Sequence, residues 1–450
     1  MTRPRYLVSP TPAHVRLFIV FGVLLAACGS GVSSPSLATS ASTTSTQANL
    51  ASAPGISPTS ILIGSDQPLT GVASPGNSEI APAIRAYFSY LNVHGGIFGR
   101  SVNFKYLDDR SNPTTALQVT QKLVNQDKVF AMLGAYGTTT HQATVAYLNQ
   151  NKIPDIFVGS GCACWNNTTS KPYTFGFSPN FITQGEILGT FLRSNFPNKK
   201  VGVLYQNDSF GSEGLQGLQQ SVPKGDLVST IAYGPPNLHS QISSDISTLE
   251  GNGVQAVVLF TNPQATATAE LAMRALSYAP LVFGSSQSLE PGTIASLMGP
   301  SKITASNLAA LAGQYVVSFL PLASDTSDPW VTLFKKIHDQ YDSPNPFDSY
   351  TILGMSIAYY FAEVLNDTGQ NPTRQTLVST LETLGSQLSG PSIAPFGYSQ
   401  SSHLGIMGSQ IAVVSPEGAL SAIGPIYTFT VDGAVETQAS TESAVPSYLD

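Results

Sequence analysis

Three consecutive threonines, Thr138, Thr139 and Thr140, follow an apolar stretch at 129–133 and the tetrapeptide Gly134-Ala135-Tyr136-Gly137. Where a strand runs through a turn into a helix, the leading backbone N–H groups and nearby hydroxyls suit an anion such as a carboxylate. The competing reading is an ordinary threonine N-cap. His141, one step on, is expected to be an exposed early-helix histidine. Cys162 and Cys164 flank a single alanine. Outside the cytoplasm a local disulfide is the leading expectation, although a bridge across one residue is tight. Free thiols are the alternative. A metal or redox role fits less well, because a metal needs more ligands and redox pairs are spaced by two residues. For catalysis the sequence offers no Gly-x-Ser-x-Gly elbow, no His-x-x-x-His pair and no Walker A loop. Gly95-Gly96-Ile97-Phe98-Gly99 lies between a helical pattern and a strand, the wrong setting for a dinucleotide. No enzyme activity, no cofactor and no metal is expected.

These residues must be held by larger elements. Apolar strand patterns at 61–64, 102–107, 129–133 and 155–158 alternate with helical patterns, one opening at Asn112-Pro113. Asparagine can cap such a helix and proline suits its first position. A second series follows, with strands at 201–205, 227–233, 256–260 and 281–283, and helices between them. Later come a strand at 314–319, helices at 329–339, 348–365 and 373–384, and strands at 411–414 and 426–431. The alternation predicts an α/β fold with parallel-rich sheets, in which ligands sit at the carboxyl ends of strands.

The chain has 450 residues, room for two domains, and only 10% of them are charged, with a net charge of −7. It shows no basic stripe, so nucleic acid is not expected as a partner. Arg3, Arg5 and Arg16 precede an apolar run at 17–27, and no acidic residue occurs before Asp66. This is the layout of a secretory signal, and the run is short for a membrane span. It ends Leu25-Ala26-Ala27-Cys28-Gly29, which resembles the lipobox of bacterial lipoproteins. That resemblance implies a signal peptide over 1–27 and a lipid on Cys28 that anchors the protein to the membrane. Residues 28–58 are Ser, Thr, Ala, Gly and Pro in the main and read as a tether. Residues 438–450 read as a tail in which Tyr448-Leu449 could dock.

Tyr90-Leu91-Asn92 with Gly95-Gly96-Ile97-Phe98-Gly99-Arg100, Asp108-Asp109 with Asn112-Pro113, residues 205–214, and Phe347-Asp348-Ser349-Tyr350 carry a wider resemblance. Over about 60–432 the chain resembles the type I periplasmic binding proteins, in particular their leucine/isoleucine/valine-binding branch. The resemblance implies two Rossmann-like lobes joined by three crossings, placed near Ser178, Ala312 and Gly397. Lobe I would take 59–178 and 313–396, and lobe II 179–312 and 397–437. It also implies a ligand cleft. Thr138 and Thr139 would hold a carboxylate, and Gly161 and Cys162 match a second carboxylate-binding loop, with Cys162 replacing the usual hydroxyl. Leu69 and Thr70, at the end of the first strand, would touch the ligand, and Tyr136 and Trp165 would either line the pocket or pack the lobe surface. From the second lobe, Phe210 would cover the ligand and Thr261 and Asn262 would face it. Ser286 or Gln287 stands where amino-acid binders carry an acidic residue for the ammonium. A buried ammonium without an anion is costly, and Asp208 or Asp66 would have to substitute. A free α-amino acid is therefore not favoured, and an uncharged polar or apolar compound, an amide, or an acid lacking the amine is a serious candidate. The expected protein is a monomeric, extracytoplasmic lipoprotein that hands a small molecule to ABC permease subunits. A sensor module of the same fold is the alternative, and a secreted α/β hydrolase a more distant one.

Overall fold

The computed structural model describes residues 48–234, 238–299, 303–429 and 435–449. The expected signal peptide, Cys28 and the first part of the expected tether lie outside them.

The first lobe alternates as the periodicity predicts. Its elements are β1 (Ser60–Gln67), α1 (Ile80–Val93), β2 (Ser101–Asp108), α2 (Pro113–Asn125), β3 (Ala131–Leu133), α3 (Thr138–Gln150), β4 (Asp155–Val158) and β5 (Thr174–Gly176). Local chemistry sets these boundaries. Asn112 accepts hydrogen bonds from Thr114 N and Thr115 N, with Pro113 at the first helical position. In α1, Ile80, Ala83, Ile84, Tyr87 and Leu91 recur at helical spacing and are buried, with Tyr87 edge-on to Phe334 and Tyr359. The strands lie in the order β2-β1-β3-β4-β5, all parallel.

The second lobe comprises α4 (Phe181–Asn195), β6 (Val201–Gln206), α5 (Ser209–Ser221), β7 (Leu227–Tyr233), α6 (Leu238–Gly251), β8 (Ala256–Phe260), α7 (Pro263–Leu276), β9 (Leu281–Gly284), α8 (Pro291–Leu297), α9 (Ala305–Ala310) and β10 (Tyr315–Ser318). The chain returns to lobe I for α10 (Pro329–Tyr341), α11 (Ser349–Thr368), α12 (Arg374–Leu384) and the hairpin β11 (Phe396–Ser399) and β12 (Ser402–Ile406). It ends with β13 (Gly408–Val414), β14 (Leu420–Phe429) and β15 (Val435–Gln438). The second sheet runs β15-β14-β13-β10-β9-β8-β6-β7, parallel from β7 to β10 and antiparallel beyond.

The chain thus crosses after β5, after β10, and between β12 and β13. Two crossings fall later than the sequence placed them. Tyr315–Ser318 pairs with β9 and β13, so the second crossing follows Ser318 rather than Ala312. The β11–β12 hairpin packs beside β5, with Ile406 N donating to Phe177 O at 2.8 Å, so the third follows Ile406 rather than Gly397.

The expected tether also stops earlier than residue 58. Arg100 is buried, and its guanidinium needs acceptors. It donates to Ser57 O at 2.8 Å, Leu50 O at 3.0 Å and Gln370 O at 2.5 Å, which fastens residues 50–57 to the lobe. At the other end Leu449 is buried, with its carbonyl accepting from Tyr90 Oη. No helix among the described residues is long and apolar enough to cross a membrane.

Candidate functional site

The carboxyl ends of both sheets face one cleft. On the lobe I side, β3 leads through Tyr136 and Gly137 into α3. Gly137, with φ of 108°, carries no side chain to cap the helix, so the N-terminus of α3 is left without a side-chain cap. On the lobe II side, Asp208 caps α5 and Asn262 caps α7. Between these helix ends lies a cavity of about 130 Å³, lined among others by Thr138, Thr139, Gln206, Phe210 and Asn262. Tyr136 and Gln287 line this cavity and also a second one of about 60 Å³. The second is walled by Val316, Phe319, Leu320, Ile352 and Leu353, with Glu290, Ser349 and Tyr350 among its polar members. Gly76 makes room for Tyr350, since a Cβ there would lie 2.1 Å from the ring.

Polar contacts bridge the lobes along one rim. Thr139 Oγ1 donates to Asp208 Oδ2 at 2.9 Å, Gln142 Nε2 to Ser209 Oγ at 2.9 Å, and Ala163 N to Glu213 Oε2 at 2.8 Å. Burial, reinforced by the charge of Asp208 and opposed by the Ala163 amide, pushes the Glu213 carboxyl up to about 7. At the second cavity Glu290 of lobe II meets the first residue of α11, accepting from Ser349. Glu79 and Asp348 of lobe I stand beside it. Burial and then the Asp348 charge push Glu290 up to about 8, and the same two causes push Glu79 up to about 9.

Most of the residues singled out in the sequence meet at this cleft. Tyr136, Thr138, Thr139, Phe210, Asn262 and Gln287 line the larger cavity, and Ser286 lines the smaller. The others lie elsewhere. Thr70 is fastened to Asp108 through both its amide and its hydroxyl, at 3.1 and 2.6 Å, and neither it nor Leu69 lines either cleft cavity; Pro68 lines the larger. The Thr261 hydroxyl pairs inside lobe II with Thr266 Oγ1 at 2.6 Å. Gly161 faces Pro179, whose carbonyl oxygen would lie 2.4 Å from an added Cβ. Cys162 and Cys164 are joined by a disulfide with Cα atoms 5.1 Å apart, and Cys162 Sγ lies 3.2 Å from Glu213 Oε1, on the rim rather than in a cavity. Trp165 is buried, its Nε1 donating to Ser160 O at 2.9 Å.

His141 is not exposed. It is fully buried, with Nε2 2.8 Å from Asp155 Oδ2 and its ring edge-on to Trp165. Of the two carboxylates offered as ammonium partners, Asp208 lines the larger cavity but already accepts from Thr139 and Gln206. Asp66 is buried in lobe I against Thr120, away from both cavities. The sequence reading missed Asn77, Gln206, Glu290 and Tyr350. Gln206 was within reach, as the last residue of a strand whose end was already a candidate. Tyr350 and Glu290 arrive from distant parts of the chain. Among the described residues no group of three or more His, Cys, Asp or Glu side chains is arranged to hold a metal ion.

With this geometry the comparisons are consistent. A periplasmic binding protein family model matches residues 60–419. The leucine-, isoleucine-, valine-, threonine- and alanine-binding protein of Pseudomonas aeruginosa is 25% identical over 193 residues, covering 42% of this chain and 50% of that protein. The chain thus spans about half the length of the curated relatives it matches. Among solved structures, a fatty acid ABC transporter substrate-binding protein from Thermomonospora curvata superposes with a TM-score of 0.71 at 18% identity, over 84% of this chain and 94% of that one. A branched-chain amino acid ABC transporter protein from Thermus thermophilus with bound valine gives 0.69 at 17% identity, over 82% and 96%. At such identities these likenesses speak for the fold. Two lobes built on parallel sheets, a cleft at their carboxyl ends, and a family model matched over most of its length lead to one conclusion: this chain belongs to the periplasmic binding protein family.

Proposed function

We propose that this protein is the extracytoplasmic substrate-binding component of an ABC importer, anchored by a lipid on Cys28. It captures a small organic molecule bearing a carboxylate, amide or similar acceptor group and delivers it to permease subunits. The observation that carries this reading is the N-terminus of α3, without a side-chain cap, opening into a cavity that both lobes line. Helix-end amides attract an acceptor group, and the second cavity receives an apolar tail. Contacts from both lobes give the ligand a higher affinity for the closed arrangement, which is what drives closure. The names of relatives, which bind amino acids in some cases and a fatty acid in another, support a small ligand with a polar head. Binding without turnover is the reading favoured here. His141, the histidine nearest the threonine run, is committed to Asp155 inside lobe I.

The test is a thermal-shift screen of purified protein against amino acids, amides, aromatic acids and short fatty acids. A true ligand raises the Tm by mass action. Thr138→Ala is expected to weaken that ligand roughly three- to tenfold, the worth of one hydrogen bond. An unaltered affinity would move the site elsewhere. In cells, Cys28→Ser should release the protein from the membrane fraction, and persistent retention would remove the anchor from the proposal.

A further inference from the structure

Asn77 belongs to the short 3-10 turn Asn77–Glu79 that precedes α1, and it is only 3% exposed. Its Nδ2 donates to Ala73 O at 2.7 Å, which settles the orientation of the amide. The other atom, Oδ1, is buried without a hydrogen-bond partner among the described residues, and Asn77 lines the larger cleft cavity. Several of its polar neighbours in that cavity are already engaged within the protein. Thr138 pairs with Ser160, Thr139 with Asp208, Thr140 with Tyr136 O, and Asn262 with Gln206. A buried carbonyl oxygen left unmatched is costly, and such atoms call for a partner. The same cavity holds the N-terminus of α3, whose leading amides are donors. It therefore offers donors at one place and a neutral acceptor at another.

We infer that Asn77 is a ligand-reading residue, and that the ligand carries a neutral hydrogen-bond donor, an amide N–H or a hydroxyl, beside the acceptor group held at α3. This deepens the importer reading and rests on it. A neutral donor suits Asn77 because an uncharged amide oxygen gives an ammonium no counter-charge. The nearby anion, Asp208, is already engaged by Thr139 and Gln206. A primary carboxamide or a 2-hydroxy acid has the required pair of groups; a plain fatty acid does not.

Two probe pairs isolate the donor. Pentanamide and 2-hexanone differ by NH₂ against CH₃, and 2-hydroxypentanoate and pentanoate differ by one hydroxyl. Titration calorimetry with the wild-type protein is expected to show the donor-bearing member of a pair binding about tenfold tighter. In Asn77→Leu that preference should collapse to within about twofold. Equal binding of both members to wild type, which needs no variant to fold, overturns the inference while leaving the importer reading intact. A preference that survives Asn77→Leu overturns it too. If none of the four compounds binds, the cleft-binding reading falls and takes this inference with it.

Discussion

His141 shows how far a side chain's surroundings can depart from its place in the chain. It sits in the first turn of a helix, beside threonines that face the cleft, yet it points into lobe I and is fully buried against Asp155 and Trp165. Burial alone would lower its pKa. The Asp155 charge and hydrogen bond outweigh that, and the net shift is upward. A raised folded-state value means the pair's contribution is complete below the unfolded pKa of about 6.5 and is lost as pH rises through the folded value. Removing one member of a buried pair leaves the other uncompensated. His141→Phe is therefore expected to cost about 3–5 kcal/mol in urea unfolding at pH 6, and less at pH 9. A cost that does not fall between the two conditions would mean that the fold does not hold the histidine protonated.

Helices α4 and α5, whose Phe181 and Phe210 rings pack on each other, approach so closely that only glycine fits between them. A Cβ on Gly217 would lie 1.9 Å from Ile182 O, and one on Gly185 would lie 2.3 Å from Gly214 O. Gly217→Ala must force the helices apart, at about 1–3 kcal/mol or more. Gly225→Ala, where nothing lies within 4 Å, should stay within about 0.5 kcal/mol of wild type. Equal Tm values for the two variants would refute the close approach. Elements of this kind were largely readable in the sequence. Periodicity located the strands and helices, and a strand running through Gly137 into three threonines marked the start of α3. What periodicity does not carry is the partner of a short element. Tyr315–Ser318 reads as a strand in either lobe, and only its pairing with β9 and β13 assigns it to the second. The site was partly readable for the same reason. Thr138 and Asn262 lie where a strand meets a helix, a position visible in one dimension. Thr70 occupies a comparable position, but Asp108, 38 residues on, claims both its polar groups. Asn77 and Glu290 gave no signal, because their meaning comes from which buried atoms lack partners after folding.

Across the whole protein, the carboxyls that meet between the lobes are expected to make the proposed closure depend on pH. Glu290 of lobe II is held against Ser349 and beside Glu79 and Asp348 of lobe I, with Asp342 adding to the negative field at Glu79. Asp348 is itself raised, by burial first, and is partly relieved by the α11 amides it caps, by Glu79 and by His338. Opening the cleft would return Glu290 to water, where a glutamate titrates near about 4.3. Its value with the lobes together is about 8. On the proposed opening motion, the closed arrangement is expected to hold a proton that the open one releases. Closure is fully favoured below the open-state pKa, weakens as pH climbs, and levels off once pH has passed about 8. Glu213 on the rim, raised to about 7, acts in the same direction. An uncharged ligand found in the thermal-shift screen should therefore bind roughly tenfold more weakly at pH 8 than at pH 6, a discounted share of the limit of one decade per pH unit for each proton. Glu290→Gln keeps the shape and bears no charge at either pH, so it should flatten most of that dependence and tighten binding at pH 8. Wild-type affinity that is constant across this range, or a slope left untouched by Glu290→Gln, would show that the lobes meet without taking up a proton at this carboxyl.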